Sequence, residues 1–164
     1  MNRIVRAALV GILLVTAAAC SKTPDDARKE IESRGVRYTA DSFIAAAAEG
    51  DIKLLRLFLT AGMDPDTKNR FGSTALIEAA RNGRAAAAAE LIDAGADVNA
   101  STKSGTTALI FAAWEGHADL VRLLLEKGAD PSAKDFMGDS ALKAARDNGQ
   151  NEVARILEKA GAAP

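Results

Sequence analysis

Apolar side chains recur along this chain in short helical stripes, and each stripe ends at a glycine. Paired alanines such as Ala79-Ala80 mark the first helix of a unit, and aliphatic pairs such as Leu91-Ile92 mark the second. The glycines after the first helices stand at positions 50, 83, 116 and 149, and those after the second helices stand at 62, 95, 128 and 161. Both sets have a period of 33 residues, which is typical of stacked repeats that cannot bury their apolar faces singly.

The pattern predicts an all-α repeat solenoid of four units, each with two helices and a polar loop. The units occupy 38–69, 70–103, 104–135 and 136–164. The predicted first helices span 43–49, 75–82, 108–115 and 141–148, and the second helices span 52–61, 85–94, 118–127 and 151–160. A capping helix is predicted within 24–37, since Thr23 is a good N-cap and Pro24 suits the first turn.

Two other features of the predicted stack concern its loops and its stability. Aspartates such as Asp64, Asp66 and Asp97 recur in the loops at the structural period, which indicates turn hydrogen bonding rather than acid–base chemistry. Residues 85–89 are five consecutive alanines, where other units place larger aliphatic side chains. The second unit is therefore predicted to be the weakest of the stack.

Residues 72–100 (GSTALIEAARNGRAAAAAELIDAGADVNA) and 105–133 (GTTALIFAAWEGHADLVRLLLEKGADPSA) resemble the ankyrin repeat family. The T-P-L-H turn of that family is matched by Thr74-Ala75-Leu76-Ile77, although its proline and histidine are absent. The resemblance covers the chain from residue 38 onward. It implies helix-turn-helix units with β-turn loops, and a protein partner held in a groove between the loop tips and the first helices.

Carried over position by position, the resemblance picks out twelve candidate partner-binding residues. They are Glu78, Arg81, Asn82, Phe111, Trp114, Glu115 and Asp147 on the first helices, and Arg70, Phe71, Lys103, Phe136 and Met137 at the loop tips. Trp114, the only tryptophan of the chain, shares its column with Arg81 and Asp147, which predicts a binding anchor on a solvated surface.

The sequence also allows a second interpretation of the aromatic residues in this groove, in which they pack within the protein. Phe111 and Trp114 would, in the other interpretation, pack on each other and on neighbouring loops with no partner. For Phe71 and Phe136 the favoured interpretation is inward packing at the base of the loops.

Residues 1–19 have the layout of a secretory signal peptide. Arg3 and Arg6 precede an apolar or small-residue run at 7–19, which is short for a membrane span. The segment also resembles a bacterial lipoprotein signal, because small residues precede Cys20, the only cysteine. The resemblance implies lipid on Cys20, a tether of residues 20–23, membrane contact through the lipid and, from Ser21, an outer-membrane location. Ordinary cleavage after Ala19, giving a soluble periplasmic protein, and an uncleaved anchor are the alternatives.

Charge and composition argue against a nucleic-acid partner and against an enzyme. The 21 basic and 22 acidic side chains give a formal net charge of −1, which indicates no polyanion partner. His117 is the only histidine, and its place after Gly116 implies a structural role in the ankyrin resemblance. Neither a cluster with zinc-ligand spacing nor a glycine-rich phosphate loop is present.

The predicted function is therefore a non-enzymatic, monomeric protein-binding module without a cofactor, acting outside the bacterial cytoplasm. Two related functions stay open. The protein could be an inhibitor or immunity-type protein, or a protector or assembly factor of a periplasmic enzyme.

Overall fold

The computed structural model describes residues 22–162, which form nine α-helices and no extended strand. The helices are α1 (Pro24–Ser33), α2 (Ala40–Glu49), α3 (Ile52–Thr60), α4 (Ala75–Arg81), α5 (Ala85–Asp93), α6 (Ala108–Glu115), α7 (Ala118–Glu126), α8 (Ala141–Asp147) and α9 (Asn151–Lys159). The predicted helical repeat solenoid is confirmed. The predicted signal peptide and Cys20 lie outside the described residues.

The helices pack in two rows that run along the stack. The first helices of the units, α2, α4, α6 and α8, form an inner row, and each contacts the next. The second helices, α3, α5, α7 and α9, form an outer row in the same way, and α1 packs on α3 at the beginning of this row. Ala27 and Ile31 of α1 are fully buried, so α1 covers the apolar side of the first unit.

Hydroxyl side chains fix where the inner helices begin. Thr74 Oγ1 accepts a hydrogen bond from the backbone N–H of Ile77 at 3.3 Å, and Thr107 does the same for Ile110 at 3.3 Å. These bonds satisfy backbone donors that have no partner inside the helix. In the first unit Thr39 Oγ1 accepts from the N–H of Ser42 at 3.2 Å, so α2 begins at Ala40 and the predicted start at residue 43 is wrong.

Small residues set the spacing of the inner row, whereas larger ones fill the outer row. Ala79, Ala80, Ala112 and Ala113 are fully buried where the inner helices meet. Leucines such as Leu91 and Leu124 are fully buried in the outer row. Burial of this continuous spine from unit to unit supplies the main stabilisation of a stack.

The loops stack on one another through hydrogen bonds between successive loops. The N–H of Lys103 donates to the carbonyl oxygen of Phe71 at 3.2 Å, and the N–H of Phe136 donates to that of Ser104 at 2.9 Å. Nearer the outer row, the N–H of Asp97 donates to the carboxylate of Asp66 at 2.9 Å.

The loop aspartates also close turns within their own units. The Asp64 carboxylate accepts from the N–H of Asp66 at 2.9 Å, and the Asp97 carboxylate accepts from the N–H of Asn99 at 2.9 Å. The prediction of turn bonding is confirmed for Asp64 and Asp97, whereas the Asp66 carboxylate bonds to the next loop. None of the helices between residues 22 and 162 combines the length and apolarity that a membrane crossing requires.

Candidate functional site

A cleft of about 360 Å³ lies between the loop tips and the inner helices, at the junction of the second and third units. Phe71 and Lys103 come from successive loops, Arg81 from α4 and Phe111 from α6. The other lining residues are Ser73, Glu78, Thr102 and Ser104. The cleft therefore combines two aromatic rings, two cations and several hydroxyl groups, the mixture found in small recognition sites.

Side chains at the corner of each unit reach back to the unit before it. His117 Nε2 lies 3.2 Å from the carbonyl oxygen of Arg81, which can only accept, so Nε2 carries the proton. Arg84 Nε donates to the carbonyl oxygen of Ala48 at 3.1 Å, and Gln150 Nε2 donates to that of Trp114 at 3.4 Å. The three side chains thus bond to carbonyls at the ends of the preceding inner helices, which lack a partner within the helix.

A family model for ankyrin repeats in three copies matches residues 43–135. This chain belongs to the ankyrin repeat family. The fourth ankyrin unit follows the matched region, and its inner helix α8 begins with the same type of hydroxyl cap, Ser140. No curated protein matches the chain at a significant level. Ankyrin repeats generally serve as non-enzymatic modules of protein–protein interaction.

The aromatic and apolar side chains at the ankyrin loop tips are exposed. The exposed fractions are 61% for Phe71, 81% for Phe136 and 86% for Met137. The inward packing predicted for Phe71 and Phe136 is wrong. Ser73 and Thr106 of these stacked loops are buried, whereas the two rings lie on the outside.

Each loop-tip phenylalanine instead contacts a neighbouring loop residue. The Arg70 guanidinium lies 4.6 Å from the centre of the Phe71 ring. The Phe136 ring covers Gly105, where a Cβ atom would come within 2.8 Å of the ring. One side of each ring is thus in contact with the protein, while much of the rest faces solvent.

Trp114 and Phe111 do not stack on each other. The ring pairs of the described region join Tyr38 with Phe58 and Phe43 with Phe58, all in the first unit. Phe111 is half-buried, with the Arg81 guanidinium 5.5 Å from its ring centre. Trp114 is 51% exposed on the outward side of α6. A half-exposed tryptophan without a ring partner is available to another molecule.

The remaining predicted residues on the inner helices differ in whether their polar groups already bond to another residue of the protein. Glu78 accepts a hydrogen bond from Ser73 Oγ at 2.7 Å, and Asn82 donates to the carbonyl oxygen of Glu78 at 2.8 Å. Asp147 pairs with Lys143 at 3.0 Å. Glu115 is exposed, and no ion pair of the described region includes it. Asp147 is therefore partly neutralised, whereas Glu115 is free.

His117, the one imidazole available for acid–base chemistry, is held by its bond to the Arg81 carbonyl. Within residues 22–162 no three His, Cys, Asp or Glu side chains are placed to hold a metal ion. The structural role expected for His117 is the one that the hydrogen bond supports. Sequence reasoning missed the same role of Arg84 and Gln150, because the three residue types in this column differ.

Proposed function

We propose that this ankyrin stack is a protein-binding module that acts outside the bacterial cytoplasm and is tethered to a membrane by lipid on Cys20. The partner is a protein held along the surface formed by the loop tips and the inner helices. We call this surface the groove, and define it by Phe71, Arg81, Lys103, Phe111 and Trp114.

Trp114 carries the proposal. Tryptophan is among the residues that most often dominate binding energy, because a large rigid ring buries much area at little entropic cost. Here the ring is half exposed on α6, three residues after Phe111, which lines the cleft of the second and third units. An apolar ring kept in water at this position favours a protein partner.

The sequence of residues 1–20 supports the cellular location. A basic start, a short apolar run, three alanines and a unique cysteine follow one another in the order that export and lipid attachment require. The described fold begins at residue 22, and α1 begins at Pro24. A lipid on Cys20 would hold the stack within a few residues of the membrane surface.

Photo-crosslinking in living cells tests the proposal. A photoreactive amino acid replaces Trp114 in the full chain, and the crosslinked proteins are identified by mass spectrometry. The control places the same amino acid at Arg155, which is exposed on the outer helix α9. We expect one partner that crosslinks from position 114 and not from position 155. Equal crosslinking from both positions, or none from 114, would contradict the proposal.

Once a partner has been identified, Trp114→Ala measures the contribution of the ring. We expect binding to weaken by about 2 kcal/mol, the scale of an interface hot spot. The unfolding midpoint should change little, since the exposed ring contributes little to the core. Unchanged affinity, measured by titration calorimetry, would remove Trp114 from the interface.

A further inference from the structure

The cations of the groove form no ion pair with an acidic side chain of residues 22–162. Ion pairs elsewhere in the described region occupy cations such as Arg56, Arg122 and Lys143. None of those pairs includes Arg70, Arg81 or Lys103. Arg81 and Lys103 line the cleft, and Arg70 lies against the ring of the lining residue Phe71. In a chain with slightly more acids than bases, cations without an ion pair at this place are available to an external carboxylate.

Aromatic rings hold two of these cations in position. The guanidinium of Arg70 lies over Phe71, and that of Arg81 lies over Phe111, at 4.6 Å and 5.5 Å from the ring centres. A guanidinium that rests on a ring face still has its N–H edge free, and that edge matches the two oxygens of a carboxylate. The arrangement reduces the side-chain entropy that a partner would otherwise have to remove.

The one carboxylate of the cleft offsets only one of the two cations that line it. Glu78 is partly buried, and its carboxylate accepts a hydrogen bond from Ser73 Oγ at 2.7 Å. No ion pair joins it to Arg81 or Lys103 in the part of the chain that the structure describes. The cleft therefore presents positive charge next to apolar surface.

We propose that the groove recognises an acidic segment of its partner that also carries an aromatic or large aliphatic side chain. The apolar side chain enters the cleft between Phe71 and Phe111, and the adjacent carboxylates bond to Arg81 and Lys103. This inference rests on the proposed function and adds the chemistry of the partner segment. Charge complementarity of this kind sets specificity and speeds association more than it raises affinity.

Three fluorescein-labelled peptides test the inference with the full chain in a mild non-ionic detergent. They alternate phenylalanine with glutamate, glutamine or lysine and are otherwise identical. We expect the glutamate peptide to bind at least tenfold more tightly than the glutamine peptide, and the lysine peptide most weakly, by fluorescence anisotropy. Added salt should reduce the difference, because exposed charges are screened.

Two double variants locate the binding. Arg81→Glu with Lys103→Glu should lower the affinity for the glutamate peptide at least tenfold. Arg155→Glu with Lys159→Glu makes the same change in net charge on the exposed side of α9 and should leave that affinity unchanged. Circular dichroism and the unfolding midpoint of both variants report whether each folds. A misfolded groove variant is replaced by Arg81→Gln with Lys103→Gln, for which a loss of at least threefold is expected.

Several outcomes would overturn the inference. Equal binding of the three peptides, no binding of any, or equal losses in both double variants would each show that the groove does not select carboxylates. Tighter binding of a single-stranded oligonucleotide of matched length would assign the cations to nucleic acid. A partner crosslinked from position 114 through a segment without acidic residues would also overturn it, while leaving the proposed function standing.

Discussion

At the scale of single residues, Gly83 at the end of the inner helix α4 meets two requirements. Gly83 has a φ of +67°, a left-handed conformation that is costly for residues with a Cβ atom. A Cβ atom at Gly83 would also lie 2.7 to 2.9 Å from three atoms of the His117 ring. Gly149, at the same corner of the last unit, has a similar φ of +72° and no atom within 4 Å of the added Cβ.

Alanine substitutions at the two glycines separate the cost of the left-handed backbone from the cost of the contact with His117. We expect Gly149→Ala to lower the free energy of unfolding by about 1–2 kcal/mol, the cost of the left-handed backbone. Gly83→Ala should cost about 1 kcal/mol more, because His117 must leave its hydrogen bond to Arg81. Urea unfolding of each variant measures both values.

Repeating both glycine substitutions in a His117→Ala protein separates the contact with histidine from other effects at the same corner. In a His117→Ala protein, the excess cost of Gly83→Ala over Gly149→Ala should disappear, since the colliding ring is gone. An excess that persists without the imidazole would show that His117 is not its cause.

The sequence predicted the exposure of Trp114 but not that of the loop phenylalanines. Trp114 shares its column with Arg81 and Asp147, which require solvent. Phe71 and Phe136 have no such guide, and burial is the ordinary expectation for phenylalanine. Small residues of the loops are buried instead of the rings, which is a property of packing between units.

At the scale of helices, α5 buries the smallest side chains of the outer row, and we expect it to be the least stable helix of that row. It buries Ala87, Ala88 and Leu91, whereas α7 buries Leu120, Val121 and Leu124. Each missing methylene removes about 0.8 kcal/mol of burial. The alanine run was visible in the sequence, and the structure adds that both alanines are fully buried.

Hydrogen exchange measures the difference between the two helices. We expect the backbone amides of α5 to exchange at least about tenfold faster than those of α7, since 1.4 kcal/mol corresponds to a factor of ten. Mass spectrometry of peptides from the two helices in the same sample gives the comparison. Equal protection would mean that the neighbouring helices compensate for the small side chains.

Ion pairs join the helices of the outer row to one another. Arg56 of α3 pairs with Glu90 of α5, Lys127 at the C-cap of α7 pairs with Asp93 of α5, and Arg122 of α7 pairs with Glu152 of α9. The hydrogen bond from Arg56 holds the pKa of Glu90 below its ordinary value of 4.5. Surface pairs of this kind contribute modestly, and less at high salt.

The lowered pKa of Glu90 predicts a dependence of stability on pH. A carboxyl whose pKa is lower in the folded state stabilises the fold above its unfolded pKa, and this stabilisation is lost as the pH falls through the folded pKa. The stability difference between wild type and Glu90→Gln should therefore be present at pH 7, begin to fall near pH 4.5, and be lost once the pH is below the folded pKa of Glu90. Urea midpoints at low salt measure it.

Glu126→Gln is the matched control for this pH series. Glu126 is exposed on α7, and no ion pair of the described region includes it. Its substitution should give a difference from wild type that does not change with pH over the same range. A Glu90→Gln effect that persists in acid would show that the pair with Arg56 is not its source.

The helix boundaries illustrate what local sequence can and cannot supply. The glycine columns gave the ends of the helices to within one residue, because a glycine at such a corner is a local requirement. The beginning of α2 was missed by three residues, since Thr39 caps it outside the repeat register. A cap that belongs to one unit alone leaves no periodic signal.

At the scale of the whole molecule, the proposed lipid determines where the stack is found. We expect Cys20→Ser to move the protein from the membrane fraction to the soluble fraction, or to block its processing, since the cysteine sulfur is the proposed attachment atom. Fractionation with immunoblotting, together with the mass of the mature amino terminus, measures both results. A buried acyl chain contributes about 0.8 kcal/mol per methylene to membrane binding.

The same fractionation distinguishes lipidation of Cys20 from its two alternatives. A wild-type protein found in the soluble fraction would favour ordinary cleavage after Ala19. A Cys20→Ser protein of unchanged mass that stays with the membrane would favour an uncleaved anchor. The apolar run and the cysteine do not separate these three fates, because all begin with the same insertion of an apolar segment.

The side chains that reach back over each corner join partners 36 residues apart, in neighbouring units. Arginine, histidine and glutamine each lie over the glycine of the preceding unit, so this kind of glycine corner accepts three different side chains. Duplication of one complete unit in the gene would place a matching pair at the new junction without further change. Whole-unit gains and losses are therefore the route by which proteins of this design can change length during evolution, whereas partial insertions would break the register.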